Sequence, residues 1–362
     1  MKKTLLALAF AGFGFAVNAQ EIVNENFDAY FPGNLGSDIT GTTSSNGIFT
    51  LSTNGAAPTT STNAANENFQ IVENTAPHLN VMQLTGANGN KGGRIFWFEN
   101  FQPLWGERDA DKNIVEVEFD LYTGAAGGTS QNTLDLRVDG DAAGTQVLTG
   151  FTFNTKTLVL RGIAYYNAPA PGGLGSYIFY LGGGQNNVTL PANTWVRLGA
   201  SFNKTTGQVY WKGYNGSTSL FNGQVMGAGA GMDPFEVNFI SLTGTTTVAP
   251  VVTNTAASVL LLDNFKIKAS STDTLLAVDE VVISENAFAV YPNPASNVIN
   301  VSNENYKITS VSISDLNGRI VKQSAFDNLS KVELNVSDLS SGVYMMNIKS
   351  AQGEVTKKIV KQ

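Results

Sequence analysis

The chain has 362 residues, enough for two domains and at least one large core, and only 14% of them are charged, with a formal net charge of −7. It contains no cysteine and one histidine, which excludes disulfides, thiol catalysis and zinc sites built on several Cys or His side chains. Residues 1–19 and 287–362 each carry about +2, leaving about −11 on the stretch between them, a sign that argues against nucleic acid or an anionic membrane as partner.

Residues 1–19 have the form of a secretory signal peptide. Lys2 and Lys3 precede an apolar run from Thr4 to Val17, and Val17-Asn18-Ala19 offers small residues for cleavage, so the mature chain is expected to begin at Gln20. No later stretch reads as a membrane-spanning helix.

Residues 20–270 show short apolar runs divided by Gly, Thr, Ser and Asn clusters, a pattern for strands and turns. From Ile114 to Tyr122, Val115, Val117, Phe119 and Leu121 share one face while Glu116, Glu118, Asp120 and Tyr122 share the other. Trp195 to Phe202 and Gln208 to Trp211 read as a hairpin closed by residues 203–207, and Val259 to Lys268 reads as a last apolar strand. No helical period of 3.6 emerges, so the expected class is all-β, a large sandwich. Residues 271–286 turn polar and then acidic, as a linker does. From residue 287 short strands resume at regular spacing, marking a second, small β-sandwich over 287–362.

That small domain resembles a known family. Phe288 to Ala295, with Tyr291-Pro292-Asn293-Pro294 at its centre, is similar to the opening of the type A sorting domain of type IX secretion substrates. Val311 to Arg319, including Asp315 and Gly318, resembles the family's strand and hairpin. Leu339 to Tyr344, with Gly342, resembles its L-x-x-G-V-Y turn, and Lys357-Lys358 to Gln362 resembles its basic last strand. Pro292 and Pro294 lack N–H groups and suit a sheet edge; lysines on the last strand keep an edge soluble. The resemblance implies an Ig-like fold read by an outer-membrane translocon and its sorting and attachment machinery. It also implies passage through the periplasm to secretion or the cell surface. Asp273-Thr274-Leu275 resembles the O-glycosylation acceptor of the same bacteria, which would place a glycan on Thr274 in the linker.

The segments Thr194 to Leu198, Gly207 to Tyr210 and Leu262 to Ile267 resemble laminin-G and concanavalin A-like jelly rolls. In carbohydrate-binding relatives, carboxylates near the two ends of the domain hold a structural calcium, which points to Asp28 and Asp263; calcium needs six to eight oxygens, so these are a beginning only. Concanavalin-like glucanases carry E-x-D-x-E on one strand, and Glu116, Glu118 and Asp120 echo it with the middle and last acids exchanged. Carboxylates at i and i+2 of a strand have Cα atoms about 6.5–7 Å apart, and retaining glycosidases need carboxyls about 5–5.5 Å apart. The simpler reading of that face is a row of solvated acids. His78, after Pro77, has no serine nucleophile in a suitable setting. Aromatic side chains beside glycine-rich stretches are the better lead for sugar stacking, and Trp97, Trp105 and Tyr166 are expected to be exposed for it. The expected function is therefore a non-catalytic, adhesin-like module binding an extracellular glycan, with a polysaccharide hydrolase or a structural surface protein as alternatives.

Overall fold

The computed structural model describes residues 19–54, 63–75, 77–246, 249–276, 288–303, 307–315, 319–350 and 353–362. The expected signal peptide, up to residue 18, and the hairpin glycine Gly318 lie outside them. The chain divides into two compact units, one ending at Ala277 and one beginning at Val278.

In the first unit, alternation along the strands produces two sheets that share one core. Among the described residues, the larger has nine strands. Its path runs Thr218–Met226, Gln208–Asn215, Trp195–Asn203, Ile114–Tyr122, Val259–Ser270, Asn80–Thr85, Phe69–Glu73 and Gly33–Asn34, with Gln20–Glu25 also paired to Val259–Ser270. The other runs Gly173–Phe179, Val159–Ala168, Val147–Asn154, Thr133–Asp139, Glu236–Leu242, Arg94–Phe98 and Ile48–Ser52, with Val188–Thr189 beside Val159–Ala168. Most pairs are antiparallel neighbours far apart in sequence, and the chain crosses repeatedly from one sheet to the other, which is the jelly-roll pattern.

An aromatic cluster welds the sheets. Phe96 and Phe239 from the eight-stranded sheet stack at 4.8 Å, and Phe119 and Phe265 from the nine-stranded sheet meet Phe239 edge-on at 5.2 and 4.8 Å. Such pairs each add about 0.5–1.5 kcal/mol beyond area burial. Trp211 makes a second bond between sheets, its indole N–H donating to the Gly150 carbonyl at 2.8 Å. Gly162 must be glycine for that ring to fit, because a Cβ there would lie 2.6 Å from Trp211 Cε2.

The inward set of Ile114–Tyr122 is Val115, Val117, Phe119 and Leu121, all buried, as the alternation predicts. The outward set is not a solvated row. Glu116 and Glu118 are 0% and 4% exposed, because residues 273–276 lie across them, with Leu275 buried at 1%. The segment expected to be linker from residue 271 thus belongs, through Leu276, to the jelly roll.

The second unit has a three-stranded sheet of Ala289–Tyr291, Val298–Ser302 and Lys331–Asn335. Its four-stranded sheet runs Ile320–Leu329, Ile308–Ser314, Gly342–Ser350 and Gly353–Lys361. Both contribute to one core that includes Phe288, Ile299, Val311, Ile313, Ile348 and Ile359. Pro292 and Pro294 follow an edge strand and are exposed. Asn293 clamps the opening motif to the last strand: its amide donates to the Lys358 carbonyl at 3.0 Å, and its oxygen accepts from the Val360 N–H at 2.8 Å. Asp315 accepts from the Arg319 backbone N–H at 3.1 Å, and Tyr344 donates to the Ser340 carbonyl two residues before Gly342. Tyr291 is exposed with Lys331 above its ring, and Lys357 and Lys358 lie on the edge strand.

Candidate functional site

The outer face of the nine-stranded sheet concentrates the first unit's paired charges. Register sets it: Glu116 stands opposite Ser201 on one neighbour and Lys268 on the other, Glu118 opposite Gly199 and Lys266, and Asp120 opposite Arg197 and Asp263. Lys268, 3% exposed, reaches Glu116 and Glu118 at 3.1 Å each. Arg197 bridges Glu118 at 3.1 Å and Asp120 at 3.2 Å, and donates to the Asn264 carbonyl at 2.6 Å.

Two carboxylates are completed by backbone. Thr274 gives its N–H to Glu116 Oε1 at 2.7 Å and its hydroxyl to both Glu116 oxygens, while the Leu276 N–H donates to Glu118 Oε1 at 2.9 Å. Asp273 accepts from the Ser201 hydroxyl at 2.6 Å and from Lys212 at 3.3 Å. The segment fits because Gly199 has no side chain: a Cβ there would meet Leu275 and Leu276 at 2.8 Å. The Thr274 hydroxyl expected to carry a glycan is thus engaged by Glu116, and a sugar at that oxygen would displace these bonds.

Further along the face the network reaches His78. Its Nδ1 lies 2.6 Å from Asp263 Oδ2, and its ring stacks on Trp195 at 4.0 Å. Asn264, held at φ 51° where the strand register shifts, donates its amide to Asp120 Oδ2 at 2.7 Å and its backbone N–H to Asp263 Oδ1 at 2.7 Å. Burial pushes the Asp263 carboxyl up, against the His78 contact. Burial likewise pushes Glu116 up, against the pull of Lys268. Burial alone would lower Lys268, but the charges of Glu118 and Glu116 outweigh it and the ammonium is held above its usual range.

Beside the segment 271–273 lies a groove of about 460 Å³ on the same face, whose walls include Ser201, Asn203, Thr206, Gln208, Tyr210 and Asp273. It offers hydroxyls, amides, a phenol and one carboxylate already bonded, beside the apolar side chains of Ile114 and Met226.

The sequence-predicted residues do not gather here. Trp105 is a correction: it is 2% exposed, turned inward by the short helix Phe101–Gly106, with its indole N–H on Asp233 at 3.0 Å and the Arg108 guanidinium 4.0 Å from its ring. Trp97 is half-buried on the outer face of the other sheet, stacked on Phe49 at 5.3 Å. Tyr166 is half-buried and packs edge-on against Phe179 at 5.4 Å. Asp28 and Asp263 keep different company. Asp28 is exposed and accepts from Asn26 and the Asn80 N–H, whereas both Asp263 oxygens are bonded as above. Among the described residues no group of three or more His, Cys, Asp or Glu could hold a metal ion. Sequence reasoning missed Lys268, Arg197 and His78 as a network; Lys266 and Lys268, two apart on a largely apolar strand, were its signal.

Residues 289–362 match the family described as the secretion system C-terminal sorting domain. The C-terminal unit is therefore a type IX sorting domain, and the chain is exported to the cell surface or secreted. Among the described residues no helix is long and apolar enough to cross a membrane. No curated protein matches the chain. Several solved structures are similar. The catalytic domain of a glycoside hydrolase family 131 protein from Coprinopsis cinerea is 10% identical, over 71% of this chain and 98% of its own, with a TM-score of 0.41. The PL-14 alginate lyase from Aplysia kurodai is 11% identical, over 61% and 98%, at 0.38. The CBM2 module of an evolved Dit from Lactobacillus casei BL23 phage J-1 is 8% identical, over 70% and 97%, at 0.38.

Proposed function

We propose that the jelly roll is a non-catalytic glycan-binding module, delivered outside the cell by its sorting domain. The observation that carries this reading is the state of the acids. Every oxygen of Glu116 and Glu118 already accepts from Lys268, Arg197, Thr274 or Leu276. A general acid or nucleophile needs a free oxygen within reach of substrate, and these have none. The adjoining groove instead offers hydroxyls and amides for sugar hydroxyls and the Tyr210 ring for an apolar sugar face.

The test incubates the exported protein with a panel of polysaccharides, with calcium and then with chelator, recording binding and released reducing ends together. Saturable binding without product is expected. Tyr210→Ala is expected to weaken it about tenfold, equivalent to about 1.4 kcal/mol, with the unfolding midpoint unchanged. Product that disappears in Glu116→Gln would establish the hydrolase reading instead. Silence across the panel would favour a structural surface protein, and loss of binding on chelation would support the expected structural calcium.

A further inference from the structure

We infer that the edge strand Gly173–Phe179 is an interface for a second copy of this chain, paired antiparallel about a two-fold axis at Ser176. The strand ends the eight-stranded sheet, and among the described residues no strand pairs with its free side. Exposed edges are ordinarily blunted by charge, proline, a bulge or brevity. This one has none of these. Residues 162–196 contain no charged side chain, the register with Val159–Ala168 is unbroken over seven residues, and Leu174 and Ile178 point outward at 63% and 57% exposure. The other edges differ. Gly33–Asn34 is two residues long, Ile48–Ser52 is covered by bonds from Ser52 N–H to the Ile39 carbonyl and from Gly41 N–H to the Thr50 carbonyl, and Thr218–Met226 is bulged at Leu220, where its register with Gln208–Asn215 shifts.

What selects a second copy is self-complementarity. Antiparallel pairing centred on Ser176 sets Leu174 against the partner's Ile178 on the outer face, and the reciprocal pair follows by symmetry. On the inner face it sets Tyr177 against the partner's Gly175 and Phe179 against the partner's Gly173. No large side chain therefore stands opposite another on that face, where each Tyr177 ring lies along its own strand over Gly175.

The experiment is sedimentation equilibrium of the exported protein over a dilution series, with two variants. Wild type is expected to reach twice the monomer mass at the high end, and Ile178→Lys, which changes a side chain already exposed, to stay monomeric. Ser176→Cys adds the only thiol of the chain. Directly opposed antiparallel residues have Cα atoms about 4.5–5.5 Å apart, within the roughly 4.4–6.8 Å of disulfides, so mild oxidation is expected to give a covalent dimer. A monomer at every concentration, or a dimer that Ile178→Lys leaves intact and Ser176→Cys does not cross-link, would overturn the assignment.

Discussion

Lys268→Met is expected to destabilise the jelly roll by about 3–5 kcal/mol, because removing one member of a buried ion pair leaves the other charge without compensation. Lys268 stands 3.1 Å from both Glu116 and Glu118 with 3% of its surface exposed; its loss leaves the Glu116 charge without the cation beside it, while Glu118 keeps Arg197. Urea unfolding of the exported protein measures the loss directly. Replacing both acids as well, in Lys268→Met/Glu116→Gln/Glu118→Gln, should recover much of it, because a neutral set of similar volume carries no uncompensated charge. A triple variant no more stable than Lys268→Met would show that the bonds to residues 274–276 matter more than the charge balance.

The same lysine sets a pH limit. Its folded value lies above the ordinary 10.5, so the folded state holds the proton more tightly than the unfolded chain does. That contribution is complete below pH 10.5 and is lost as pH rises through the folded value. The wild type should therefore lose stability on the alkaline side more steeply than Lys268→Met. Parallel alkaline limbs would mean that Lys268 does not carry the charge assigned to it.

Why the acids' surroundings were hard to read from sequence is a matter of distance along the chain. The alternation of Ile114–Tyr122 shows which side chains face inward, and it correctly puts Glu116, Glu118 and Asp120 together on the other face. It is silent on their partners. Lys268 arrives some 150 residues later by strand pairing, and Arg197 comes from a third strand. Asp273 and Thr274 misled for a related reason: short polar side chains are what a solvated linker contains, yet they are also what a buried carboxylate needs as donors and spacers. Trp105 had a legible sign, since Phe101 and Trp105 are four apart, the spacing of one helical face. The sorting domain was readable because its motifs are short and contiguous in sequence; two are held within a turn, and only the opening motif depends on a distant partner, the last strand clamped by Asn293.

Ending the jelly roll at Ser270 rather than at Leu276 is expected to cost about 2–4 kcal/mol, although only six polar or aliphatic residues are removed. Burial of Leu275 contributes about 1.5–3 kcal/mol. Each donor to the charged acids, the N–H groups of Thr274 and Leu276 and the Thr274 hydroxyl, contributes about 1.5–3 kcal/mol. Against this, the four residues held across the acids, 273–276, each return about 1–2 kcal/mol of backbone entropy on release, which offsets most but not all of the gain. Unfolding midpoints of chains ending at residues 270 and 276 measure the difference. Glu116→Gln should shrink it, because the Thr274 donors then meet a neutral amide. Equal midpoints would mean that residues 273–276 rest on the sheet without holding it. The functional consequence follows from the groove, which has Ser271, Thr272 and Asp273 among its lining residues. If the proposed glycan site is correct, the shorter chain should bind less tightly even where it remains folded, and Asp273→Ala, which removes the bonds to Ser201 and Lys212, should reproduce part of that loss. The stretch that leads into the export address would then also be a structural part of the module it delivers.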